Sequence, residues 1–158
     1  MEKERSVTAT VIPRPQADEY APYYGNYIGR VPDGDLLAQL STQLGETLKL
    51  IQAIPEARGT HRYAPGKWSI KEVIGHVSDT ERIMSYRALR IGRGDATPLP
   101  GYEQDDYVPA GGFDARTLAD LALELAAVRQ ATIHLFRHFD AEALTRRGTA
   151  SDRPFTGL

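Results

Sequence analysis

His134 and His138, in the run His-Leu-Phe-Arg-His, are spaced so that a helix would carry both imidazoles on one face, an arrangement zinc sites often use. The chemistry fails on orientation. The apolar seam of the same segment, Leu118, Leu121, Leu125, Val128, Thr132, Leu135 and Phe139, lies on the opposite side of the helical wheel, so the pair is expected to face solvent. The glutamate of a His-Glu-x-x-His motif is also absent. His61, just before the Pro65-Gly66 turn, has no partner at a metal-ligand spacing. His76 differs, because it borders an apolar stripe and shares a line with Thr80, Ile83 and Arg87. Spacing alone leaves two roles open for it, a hydrogen-bonded histidine at the core boundary or a ligand in a cleft.

Glu81 falls inside that apolar stripe, where an unpaired carboxylate would cost several kcal/mol, on the order of the desolvation penalty of a buried charge. Either an arginine answers it (Arg87, Arg90 or one from another segment), or it serves the cleft as an orienting carboxylate. Asp95, Glu103, Asp105 and Asp106 lie with Tyr102 and Tyr107 in a Pro- and Gly-rich stretch that would bring carboxylates and phenols to one end of the fold. They lack the order of an EF-hand, so no calcium loop is expected. No Gly-x-Ser-x-Gly elbow, Walker loop or dinucleotide fingerprint occurs, and Gly92-Arg93-Gly94-Asp95 is not followed by a phosphate-binding lysine.

The elements that must position these residues follow from periodicity. From an N-cap at Asp33 or Asp35, Leu37, Leu40, Leu44, Leu48, Ile51 and Ile54 predict a first helix over 33–54, in which Gly45 either costs stability or marks a close neighbour. Ser69-x-x-Glu72 has the form of a capping box and starts a second helix over 69–92, with Ile70, Val73, Ile74, Val77, Met84, Ala88 and Ile91 on one stripe. A crossover loop over 93–112 separates it from a third helix over 114–139. Residues 1–32, rich in proline and tyrosine, read as an extended arm packed on the domain; Asp140 to Leu144 allow one helical turn, and 145–158 read as extended. The expectation is one all-α domain, an antiparallel helical bundle with three long helices.

Composition sets outer bounds. The chain has 158 residues, a size that supports one core, and a net charge of −2, which provides no field for nucleic acid or anionic membrane. It has no cysteine, so neither a disulfide framework nor a protein thiolate is available. The N-terminus lacks an apolar signal region and no membrane span is apparent, so a cytoplasmic location is expected.

Residues 64–108, APGKWSIKEVIGHVSDTERIMSYRALRIGRGDATPLPGYEQDDYV, resemble the DinB-like family, which includes YfiT-like members. The resemblance rests on the Trp-Ser start of the second helix, the histidine within it and the Leu-Pro-Gly-Tyr loop. The Pro-Arg-Pro-x-x-x-Glu-Tyr segment and the third helix extend it over nearly the whole chain. It implies a four-helix bundle that often holds one divalent metal, zinc, nickel, iron or manganese, through one histidine of the second helix and two of the last. His76 matches the first donor; the other two have no counterpart, and the C-terminal helix is expected to be missing or truncated. The chain is then expected to be a fragment of a longer product, or to have the gap covered by a second copy. The implied activity of the intact protein is a metal-dependent hydrolase or thiol-type transferase acting on a small molecule or low-molecular-weight thiol, with metal weak or absent in this chain. Thr80, Glu81, Arg87 and Glu103 are the candidate cleft residues around His76. A homodimer is also implied, and the alternative is a non-catalytic, dimeric small-ligand-binding or stress-associated bundle.

Overall fold

Short side-chain caps begin the long helices. Asp35 accepts a hydrogen bond from the Ala38 amide at 3.0 Å and starts α2, Leu36–Gln52. Ser69 and Glu72 form a reciprocal capping box, the Ser69 hydroxyl accepting from the Glu72 amide at 3.0 Å and the Glu72 carboxylate from the Ser69 amide at 2.8 Å, and α3 runs from Ile70 to Gly92. Thr117 caps α5, Leu118–Arg137, by accepting from the Asp120 amide at 3.1 Å. The computed structural model describes residues 11–157, and these three helices form its frame.

The third long helix starts later than the predicted 114. Asp114 belongs instead to a 3-10 turn, Phe113–Ala115, and its carboxylate accepts from the Ser69 hydroxyl and from Arg62. The residue expected to open one helix therefore ties down the start of another. Helix α5 packs against both α2 and α3. One core cluster joins Ile51, Ile74, Phe113, Leu118, Leu121, Ala122 and Leu125, and a second joins Ala88, Phe139, Ala143 and Leu144. Gly75 is required in the first, since a Cβ there would lie 2.3 Å from the Phe113 ring.

Three expectations need correction. The predicted crossover loop 93–112 contains a short helix, α4, Gln104–Ala110, and its Leu99 pairs with the backbone of Thr149 and Ser151. The arm is not extended throughout. A 3-10 turn at Pro22–Tyr24 runs into α1, Gly25–Ile28, around Arg14, whose guanidinium donates to the carbonyls of Ile28 and Val31 at 2.6 Å each. The part of the predicted arm over 1–10 lies outside the described residues. The fold is mostly, not wholly, helical. After α6, Ala141–Thr145, strands β1, Arg147–Ala150, and β2, Arg153–Thr156, form an antiparallel hairpin. Its two-residue turn holds Ser151 and Asp152 at φ of 51° and 57°, the left-handed pair that matches hairpin twist. Neither turn residue is glycine or asparagine, which is why the segment reads only as extended.

The arm lies against this hairpin. Arg147 donates to the Asp18 carboxylate at 2.7 Å, the Thr156 amide donates to the Glu19 carbonyl at 3.2 Å, and Tyr24 meets the Phe155 ring edge-on at 5.6 Å. No helix among the described residues is long and apolar enough to cross a membrane.

Candidate functional site

His76 sits in the second turn of α3 and is half-buried, as periodicity placed it at the edge of the stripe. Its imidazole packs on the Trp68 indole with ring centroids 4.6 Å apart. Its Nδ1 lies 3.5 Å from the Thr80 hydroxyl, one turn along, and Thr80 in turn shares a 2.8 Å hydrogen bond with the Tyr102 phenol. Tyr102 is delivered by the Leu-Pro-Gly-Tyr loop, held in place where Leu99 joins the hairpin and by a ring contact with Tyr107. The Nε2 edge of His76 has no hydrogen-bond partner among the described residues.

Burial lowers the His76 pKa below its usual value, opposed by the charges of Asp79 and Asp105. The ring is therefore neutral at pH 7, the state in which an imidazole can accept a proton or ligate a cation. Burial likewise lifts Asp79 above the usual carboxylate range, against the pull of Arg82.

The other predicted cleft residues do not gather at His76. Glu81 pairs with Arg129 of α5 at 2.8 Å, both side chains mostly buried, so the arginine that answers it comes from another segment. Removing one partner of such a pair costs about 3–5 kcal/mol. Arg87 lies eleven residues beyond His76, about 16 Å farther along the helix axis. There it donates to the Pro100 carbonyl at 2.8 Å and the Ser151 hydroxyl at 3.0 Å. Glu103 is exposed just before α4 and makes no side-chain cap. Of the four, Thr80 alone touches His76. Trp68 and Tyr102 were missed as site residues, although their places next to the Ser69 cap and in the Leu-Pro-Gly-Tyr loop offered a signal. His134 and His138 are exposed.

These residues do not fit a complete divalent-metal centre. Such a centre takes about three protein donors, and among the described residues no three His, Cys, Asp or Glu side chains converge. His76 offers one open nitrogen.

Beside Trp68, α2 and α3 border an open apolar cleft of about 670 Å³, whose lining includes Trp68 and not His76. Leu50, Val73 and Val77 line it and are 67%, 46% and 40% exposed, with Asp105 at its edge.

The sequence profile of the DinB superfamily matches residues 39–158. No functionally curated protein matches the chain. Among solved structures, the chain is similar to YfiT from Bacillus subtilis, described as a probable metal-dependent hydrolase with an unusual four-helix bundle topology. The two share 15% sequence identity and superpose with a TM-score of 0.64, over 87% of this chain and 79% of YfiT.

Proposed function

The chain belongs to the DinB superfamily, and from that premise we propose that the Trp68–His76–Thr80–Tyr102 end of α3 is its functional centre, with His76 as one donor of a divalent-metal site. The activity served is that of a metal-dependent hydrolase or thiol-type transferase on a small molecule. The observation that carries this reading is His76 itself, a neutral imidazole set into the bundle with its Nε2 edge free. The likeness to YfiT, described as a probable metal-dependent hydrolase, supports the metal-dependent part. A bound divalent ion would supply Lewis-acid polarisation. What the chain's own residues do is narrower: Trp68 fixes the plane of the imidazole, and the Tyr102–Thr80 hydroxyl pair faces Nδ1 and can hold its proton. Among the described residues no three donors converge here, and a site with so few would hold metal weakly.

Trp68 is the sole tryptophan, so its fluorescence reports on the ring stacked against it. Titration with zinc or nickel is expected to quench it with weak affinity, and His76→Ala to remove that response. An unchanged response in the variant overturns the assignment of His76; tightly held stoichiometric metal that survives dialysis overturns the incomplete donor set.

A second reading, a dimeric small-ligand-binding module without catalysis, is favoured by the 670 Å³ apolar cleft beside Trp68. It predicts no metal response at all, no turnover in hydrolase or thiol-transfer screens, and a dimeric mass by light scattering.

A further inference from the structure

A second cavity, of about 400 Å³, lies between the arm, the far half of α3, α5 and the hairpin. Its walls are apolar and aromatic, among them Ile12, Tyr20, Tyr24, Met84, Ala88 and Phe136. Its volume is in the range of small-molecule sites, roughly 300–1,000 Å³. Among the described residues two arginines line this space: Arg14, which is paired with Asp33, and Arg87, 6% exposed.

Arg87 is electrostatically uncompensated. Among the described residues no carboxylate pairs with it, and every other described arginine is either paired with an acid or exposed. Two Nη2 hydrogen bonds go to neutral oxygens of Pro100 and Ser151. Among the described residues Nη1 has only the Met84 sulfur at 3.8 Å and Nε has no acceptor, while no fully buried polar side-chain atom is left unpaired, so Nε is not sealed away from the space around it. A buried guanidinium without a counter-charge carries a desolvation penalty that neutral acceptors offset only in part. The acids on the cavity wall are already engaged: Glu81 with Arg129, Asp33 with Arg14, and Glu19 with the Gln16 amide.

We propose that this cavity is a binding site for a small amphiphilic carboxylate, its head on the Nε–Nη1 edge of Arg87, where it would displace the weak contact to the Met84 sulfur, and its apolar tail among the tyrosines of the arm. A guanidinium presents donors in the planar fork that a carboxylate matches, and a carboxylate would supply the missing charge. The aromatic walls select an aryl or short acyl tail over a fully polar anion. The proposal is separate from the reading of His76, since the two sites lie a helix half apart and share no residue.

The test uses the full chain and a matched pair of probes, 3-phenylpropionate and its uncharged amide, in isothermal titration. The carboxylate should bind saturably and the amide roughly tenfold or more weakly, the difference expected for hydrogen bonds to a charged group. Arg87→Met should abolish carboxylate binding. Because that variant also loses the loop and hairpin contacts, Ser85→Trp gives a second route: it leaves Arg87 in place, fills the cavity wall, and should also block binding while circular dichroism stays native. Equal binding of acid and amide, no saturable carboxylate heat in the millimolar range, or undiminished binding in folded Ser85→Trp would each overturn the proposal.

Discussion

At the scale of single residues, His76 shows how far a local pattern carries. Its place at the border of an apolar stripe is written in the spacing of α3, and so is its half-burial. Its chemistry comes from three side chains reached through folding: Trp68, Thr80 through its bond to Tyr102, and Asp105. The lowered pKa has a definite consequence for stability. As pH falls through the usual histidine range near 6.5, the unfolded chain takes up a proton at this position before the folded chain does. Folding stability therefore declines over that window, and the decline is complete once pH passes below the folded pKa. A protonated imidazole quenches a stacked indole, so the Trp68 emission of the native protein should titrate with a midpoint below 6.5, and the transition should vanish in His76→Gln. A midpoint at or above 6.5 would mean that the ring is not desolvated.

At the scale of elements, two glycines of the long helices make opposite predictions. Gly45 in α2 is exposed and a Cβ there would meet nothing within 4 Å, so the suggested close neighbour is absent. Gly45→Ala should raise stability by about 1 kcal/mol, the helix-propensity difference. Gly75 in α3 is buried under Phe113, and Gly75→Ala should lower stability by about 1–3 kcal/mol through overpacking. Urea unfolding of the two variants measures both, and a destabilised Gly45→Ala would contradict the open environment of that site. The helix starts at Asp35 and Ser69 were legible because a cap is a local bond between residues three apart. The start at Thr117 in place of Asp114 was not, because Asp114 is drawn to Ser69 and Arg62, 45 and 52 residues away in sequence.

At the scale of the whole molecule, α5 is the element the others share, with Leu121, Leu125 and Ile133 almost wholly buried. Its amides should exchange with solvent only through global unfolding, whereas the single-turn helices α1 and α6 should open locally at lower free energy. Hydrogen exchange with mass spectrometry reads this ordering, and early exchange within Leu121–Ile133 would contradict it. The sequence by itself determined a mostly helical bundle, the limits of α3, the outward placement of His134 and His138, and the requirement that Glu81 find a partner. Each follows from periodicity or from the cost of burying an unpaired charge, quantities that depend on one element at a time. Only the tertiary structure decided that the partner is Arg129, how Tyr102 reaches Thr80, and that the cavity lined by Arg87 does not include His76 although the two share one face of one helix. It also formed the hairpin whose turn residues gave no strong signal. Those outcomes depend on contacts between segments far apart in the chain, where the identity of one residue says little until its partner arrives.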